Sequence, residues 1–221
     1  MSIISEKPLV SIGVVSYNSA NTIIETLESI KNQTYDNIEL IISDDASHDG
    51  TVERCQNWLA CNASRFLRAE LITSDVNTGT CGNCDRVLNN SMGLWLRIIA
   101  ADDILFPMAI DQFIKFSFEN PEAKWIFSKA KYYNKTFDEL NQDSKKDDRY
   151  SSSDFLCFIN SSAKEQYYMS INRNHLTPPA DIVMADALKM VGGFEEKYGL
   201  NEDIVKELEK IDGIIKVRKI D

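Results

Sequence analysis

Through the first half of the chain, short apolar runs alternate with amphipathic stretches, the pattern of strands and helices taking turns in a parallel sheet. Residues 9–15 read as a buried strand. Thr22 and Glu25 then stand at capping-box spacing, and Ile23, Ile24, Leu27 and Ile30 fall on one face, which predicts a first helix. Residues 38–42 are nearly all β-branched or aliphatic, as a strand covered on both faces should be, and they run into Asp44-Asp45. Residues 51–60 predict a second helix with Val52, Cys55, Trp58 and Leu59 inward, and residues 70–73 a third strand. Residues 77–82, rich in Asn, Thr and Gly, predict a loop, followed by a helix to about Met92. Residues 94–100 predict a fourth strand ending at Asp102-Asp103. Pro107 suits the first position of the next helix, where its missing N–H costs nothing; that helix is expected to reach about Asn120. Residues 125–132 predict a fifth strand.

Beyond residue 133 the pattern changes. Residues 134–153 are rich in Asn, Asp, Lys and Ser with few apolar positions, which predicts a mobile polar insert of the kind that often serves as a lid. An aromatic helix near 154–159 and an extended segment at 181–185 are expected next. A helix then runs to Val191, ended by Gly192-Gly193, and Asn201-Glu202-Asp203 opens a last helix reaching Ile211. The division is 1–133, then the insert 134–153, then 154–221 as the second half of the same domain.

Composition narrows the function. A chain of 221 residues with 43% hydrophobic and 26% charged residues can bury a proper core by itself. Lys and Arg number 24 against 34 Asp and Glu, a net charge of -10 that repels nucleic acid and anionic lipid headgroups. The same field repels a phosphorylated small ligand unless a bound cation reverses the local charge. The five cysteines are odd in number and no secretory signal precedes them, which predicts reduced thiols in a cytosol. Cys81 and Cys84 form a CxxC, but His48 and His175 offer no matching zinc spacing. No apolar run approaches the roughly 20 residues of a membrane span, so any membrane contact is expected to be peripheral.

In open α/β sheets ligands bind beyond the carboxyl ends of the strands, and here two strands end in Asp-Asp. If both border one crevice, Asp44, Asp45, Asp102 and Asp103 converge, and carboxylates so close hold each other's pKa up until a hard divalent cation relieves them. Taken singly, either pair also fits turn or capping chemistry. The turn after the first strand, Ser16-Tyr17-Asn18-Ser19, lacks the glycines of a dinucleotide fold, and there is no P-loop lysine motif. Tyr17 is suited to lie against a base or ribose. Glu202-Asp203 by itself fits the positive end of a helix dipole.

Three runs carry a further signal: Val10-Ser11-Ile12-Gly13-Val14-Val15-Ser16-Tyr17-Asn18, Ser29-Ile30-Lys31-Asn32-Gln33-Thr34-Tyr35, and Glu39-Leu40-Ile41-Ile42-Ser43-Asp44-Asp45-Ala46-Ser47. Together they resemble the donor-binding half of the family 2 glycosyltransferases, which have the GT-A fold. The likeness continues through Asn77-Thr78-Gly79, Gly93-Leu94-Trp95-Leu96 and Ala101-Asp102-Asp103-Ile104-Leu105-Phe106-Pro107, and returns at Val191-Gly192-Gly193-Phe194 and Glu202-Asp203. The resemblance implies a Rossmann-like, mostly parallel sheet flanked by helices, with a small acceptor-side region. It implies a metal-dependent, inverting transferase that moves sugar from a nucleoside-diphosphate sugar, a UDP-sugar first, to a glycan or glycolipid acceptor. Val15, Tyr17, Asp44, Asp45, Asn77, Gly79 and Asp102 would hold the donor; Asp103 with Asp102 would hold Mn²⁺ or Mg²⁺; Asp203 would be the base, with Glu202 beside it. The implied setting is synthesis of cell-surface polysaccharide or glycolipid, in the cytoplasm or at the inner face of its membrane. Two departures stand out. Ala100 occupies a place where many members have Asp, and Gly82-Asn83-Cys84 replaces an Arg-Asn. A non-catalytic nucleotide-sugar binder that kept the fold is the alternative reading.

Overall fold

In the computed structural model, which describes residues 7–128, 181–190 and 192–194, each aliphatic run becomes a strand because it can be covered on both faces. The elements in order are β1 (Val10–Ser16), α1 (Ile23–Lys31), β2 (Ile38–Asp44), α2 (Thr51–Asn62), a 3₁₀ turn (Ala63–Arg65), β3 (Arg68–Thr73), α3 (Gly79–Asn90), β4 (Trp95–Ala100), α4 (Ala109–Glu119), β5 (Trp125–Phe127), β6 (Asp181–Met184) and α5 (Ala185–Met190). One six-stranded sheet results, in the order β3-β2-β1-β4-β6-β5. The pairs among β1, β2, β3 and β4 are parallel, and β6 runs antiparallel to both β4 and β5. Residues 181–184 therefore complete the sheet that the first half begins.

Strand alternation separates two cores. Leu40 and Ile42 point with Ile12, Val14 and Ile99 into the larger one, where Ile23, Leu27 and Ile30 of α1 meet Ile110, Phe113 and Ile114 of α4. Ile41 and Leu96 point the other way, onto Val87 and Leu88 of α3 and Ala187 and Leu188 of α5. Gly13 lets α3 approach β1 closely, because a Cβ there would lie 2.1 Å from Cγ1 of Val87. α5 ends as expected at Gly192 and Gly193, with φ of 94° and 79°, whose N–H groups close on the carbonyls of Lys189 and Leu188.

Three local expectations are corrected. The capping box at Thr22 does not form: the Thr22 hydroxyl turns back to the Ser19 carbonyl at 3.4 Å, and α1 has no side-chain cap. α3 begins at Gly79, inside the stretch expected to be loop, because the Asn77 side chain accepts the Gly79 N–H at 2.9 Å and starts the turn early. Pro107 lies before α4 and not within it, its carbonyl taken by the Thr34 N–H at 2.9 Å. The expected insert 134–153, the helix near 154–159 and the Glu202-Asp203 helix lie outside the described residues. Among the described residues no helix is long and apolar enough to cross a membrane.

Candidate active site

Sheet order makes the site. From β1 the chain steps to β2 and β3 on one side and to β4 on the other, so the loops after β1 and β4 part and leave a crevice at their carboxyl ends. A cleft of about 480 Å³ opens there. Its lining comprises Val15, Ser16, Tyr17, Asn18, Ser19 and Thr22 after β1, Asp45 after β2, Asn77, Gly79, Thr80 and Asn83 of α3 and its approach, and Ala100, Ala101 and Asp102 after β4. Six of the seven residues expected to hold the donor are thus brought together, Asp44 being the exception.

The loops after β1 and β2 brace each other. Asn18, at φ 50°, donates its N–H to the Ser47 hydroxyl at 2.8 Å, and its side-chain oxygen accepts the His48 N–H at 2.9 Å. The Asp49 carboxylate accepts the Ala20 N–H at 2.9 Å, while the Thr51 hydroxyl accepts the Ser19 N–H at 2.8 Å. Tyr17, held between these contacts, is 49% exposed, leaving its ring free to meet a planar ligand.

The two aspartates after β2 have different work. Asp44 is fully buried, and its carboxylate accepts from the Ser16 hydroxyl at 3.0 Å and from the N–H and hydroxyl of Ser47 at 2.9 and 2.5 Å. It fixes the turn and does not line the cleft. Asp45 accepts the Thr78 N–H on Oδ2 at 2.8 Å, and on Oδ1 the Thr78 hydroxyl at 2.6 Å and Arg86 Nη2 at 3.1 Å. A carboxylate has about four acceptor positions, so Oδ2 keeps one for a ligand. Burial alone would raise the Asp45 carboxyl, but the bonds from Thr78 and Arg86 outweigh it and hold the group below the usual carboxylate range.

Arg86 is the residue the sequence reading missed. Its guanidinium gathers the Ser43 hydroxyl, the Asn83 side-chain oxygen, Asp45 and the Thr78 hydroxyl, at 2.9 to 3.1 Å. Asn83, so oriented, donates to the Ser16 carbonyl at 3.2 Å and ties α3 to the end of β1. No local pattern marks Arg86, because the aspartate it serves lies 41 positions away. The only hint in the sequence is that a -10 chain with acidic strand ends needs a buried cation to balance them.

After β4, the Ala101 N–H continues to the Val15 carbonyl at 3.1 Å, and the Asp103 carbonyl accepts the Thr26 hydroxyl at 2.7 Å. Asp102 is exposed at the cleft, whereas Asp103 is half-buried. Burial, then the neighbouring Asp102 charge, raises the Asp103 carboxyl, and Arg97 opposes the rise. The expected cluster of four carboxylates resolves into two separate pairs: among the described residues no group of three or more His, Cys, Asp or Glu stands close enough to hold a metal. Adjacent Asp102 and Asp103 still fit a hard divalent cation, since Mg²⁺-like ions keep several waters and take phosphate oxygens for the rest. Glu202 and Asp203 lie outside the described residues. Cys55 and Cys84 are buried thiols whose pKa burial pushes up to about 12, so neither is a nucleophile.

Comparison with known proteins gives this geometry a family. The chain is 32% identical over 109 residues to the putative glycosyltransferase EpsE of Bacillus subtilis, covering 49% of this chain and 38% of that protein. It is 34% identical over 125 residues to the UDP-Glc:alpha-D-GlcNAc-diphosphoundecaprenol beta-1,3-glucosyltransferase WfaP of Escherichia coli, covering 57% and 46%. The chain thus matches less than half the length of these relatives. Among solved structures, residues 1-349 of S. aureus TarS in complex with UDP share the fold at TM-score 0.70 and 18% identity, over 96% of this chain and 57% of that one. The mannosyltransferase PcManGT from Pyrobaculum calidifontis, in complex with GDP-Man and Mn²⁺, does so at TM-score 0.64 and 20% identity, over 98% and 55%. The family described as Glycosyl transferase family 2 matches residues 11–176, most of the described sheet and the cleft included, and the chain belongs to that family, with the GT-A fold.

Proposed function

We propose that this chain is an inverting glycosyltransferase that moves a sugar from a nucleoside-diphosphate sugar, a UDP-sugar first, to an acceptor hydroxyl in the synthesis of cell-surface polysaccharide or glycolipid. The observation that supports it best is the meeting of Val15, Tyr17, Asp45, Asn77, Gly79 and Asp102 around one cleft at the switch point of the sheet. Tyr17 lies against the base, and Asp45, an acceptor held ionised by Arg86, takes an N–H from the base edge. The names of relatives favour the same donor class: WfaP is a UDP-Glc:alpha-D-GlcNAc-diphosphoundecaprenol beta-1,3-glucosyltransferase, and PcManGT was solved with GDP-Man and Mn²⁺.

Asp102 and Asp103 would hold Mn²⁺ or Mg²⁺, which supplies charge neutralisation for the departing diphosphate, an effect of several kcal/mol on the transition state. Asp203, with Glu202 as neighbour, removes the proton from the acceptor hydroxyl as its oxygen attacks the anomeric carbon. A positioned base contributes about 10²- to 10⁴-fold. Attack and departure occur on opposite faces of the sugar, so the anomeric configuration inverts in one step without a covalent intermediate. We infer that it works in the cytoplasm, and at the inner face of the membrane if the acceptor is lipid-linked.

The test is release of nucleoside diphosphate from labelled donors by the wild type and by Asp203→Ala. Turnover that Asp203→Ala loses by about 10²-fold or more, with donor affinity kept, supports the assignment. Binding of donor with no turnover on any acceptor would make the chain a non-catalytic nucleotide-sugar binder; normal rates in Asp203→Ala would remove it as the base.

A further inference from the structure

Between β4 and α4 the chain forms no helix or strand, yet its backbone groups are taken one after another by side chains of α1 and of Gln33 just beyond it. The Thr26 hydroxyl donates to the Asp103 carbonyl at 2.7 Å, and the Ser29 hydroxyl accepts the Leu105 N–H at 3.1 Å. The Gln33 side chain donates to the Phe106 carbonyl at 2.9 Å and accepts the Ile110 N–H at 3.3 Å. Residues 26, 29 and 33 stand at the i, i+3, i+7 spacing of one helix face. Thr26 and Gln33 are 1% and 4% exposed, so their bonds lie largely out of water.

This polar stripe does little for the helix itself. Thr and Ser are weaker helix formers than Ala or Leu, and Thr26 sits in the middle of a nine-residue helix. A buried hydroxyl must also be desolvated, and each such hydrogen bond returns only a modest net stability. What the polar side chains supply is direction. The Ser29 hydroxyl donates to the Thr26 carbonyl at 2.7 Å, within α1, and so turns a lone pair toward the Leu105 N–H. The carbonyl that Thr26 holds belongs to Asp103, and Thr22, one turn earlier, lines the cleft together with Asp102. Two adjacent carboxylates repel each other, so a turn that carries them keeps one shape before a cation arrives only if it is anchored from outside.

We propose that Thr26, backed by Ser29, is a positioning residue: it fixes the peptide between Asp103 and Ile104, so that the acidic turn is preformed for a divalent cation and the diphosphate. The inference rests on the reading that Asp102 and Asp103 serve that cation. It adds to that reading a residue 77 positions away from the aspartate it orients. Because α1 follows directly on the loop that carries Tyr17, the same helix ties the nucleoside end of the cleft to its cation end.

Thr26→Val keeps the shape of the side chain and removes the hydroxyl, whereas Thr26→Ser keeps the hydroxyl. Ser29→Ala frees the Leu105 N–H at a position where alanine favours the helix, and it provides the test if Thr26→Val does not fold. In calorimetry with UDP, Thr26→Val and Ser29→Ala should each lose about tenfold in affinity in Mn²⁺ and keep the wild-type affinity in EDTA, with Thr26→Ser within about twofold of wild type throughout. Equal losses in Mn²⁺ and in EDTA would make the contact merely structural and overturn the proposal, as would no loss in either. Amide hydrogen exchange without ligand is the second readout: in both variants the amides of residues 103–105 should exchange about tenfold faster, with those of β1 and β2 unchanged. Unchanged rates at 103–105 would likewise overturn it. A wild type that binds no UDP would count against the transferase reading, and the exchange rates would still decide whether α1 holds the turn.

Discussion

Replacing Arg86 by Met removes the charge while keeping much of the side chain's volume, so it tests whether the guanidinium is what holds Asp45 in place. The carboxylate of Asp45 is 4% exposed and Arg86 17%, which makes this an ion pair largely out of water. Stranding one partner of a buried pair costs about 3–5 kcal/mol. Asp45 retains both bonds from Thr78, so the loss should be nearer to that of one or two hydrogen bonds to a charged group, about 2–3 kcal/mol. Denaturant unfolding at neutral pH reads this directly. Calorimetry with nucleoside diphosphate should show a companion loss of about tenfold, since a carboxylate free to rotate no longer offers Oδ2 in a fixed direction. In an Asp45→Asn background, the same Arg86→Met change should cost much less, because the charge it served is gone. An Arg86→Met protein within about 0.5 kcal/mol of wild type, with unchanged nucleotide affinity, would mean that the guanidinium does not hold Asp45 in place.

Two further perturbations follow from the same geometry. The Asp45 carboxyl lies below its unfolded value in the folded chain, so its contribution is complete above about pH 4 and is lost as pH falls through the folded value; Asp45→Asn should flatten that acid limb of an unfolding-versus-pH curve. Gly13→Ala should destabilise by about 1–3 kcal/mol in thermal unfolding through its clash with Val87, and Val87→Ala should restore part of the loss if that contact is the cause.

The strands were legible because their aliphatic runs are long and sharply bounded. β2, for example, is buried at all seven positions, and such a run has few other places to go. The direction of the last two strands was not legible, since the antiparallel pairing of β6 depends on contacts with β4 and β5 that no local pattern encodes. Helix starts failed for a related reason. Thr22 and Glu25 have the spacing of a capping box, but the Ser19 carbonyl competes for the Thr22 hydroxyl. At the site, acidic pairs at strand ends were visible, but not their division of labour. Asp44 closes β2 and is consumed by Ser16 and Ser47, while Asp45, one position on, faces the cleft with Thr78 and Arg86. That distinction is set by which loops pack together. The partners of Asp45 lie 33 and 41 positions away, beyond the reach of any motif.

The proposed function requires that the cleft at the ends of β1, β2 and β4 take a nucleoside diphosphate with a divalent cation at Asp102-Asp103. Calorimetric titration of the wild-type chain with UDP, GDP, CDP and dTDP, each in Mn²⁺ and in EDTA, tests it most directly. One diphosphate, expected to be UDP, should bind in Mn²⁺ and lose most of its affinity in EDTA and in Asp103→Ala. Binding of none of the four, or binding indifferent to both the cation and Asp103, would contradict it.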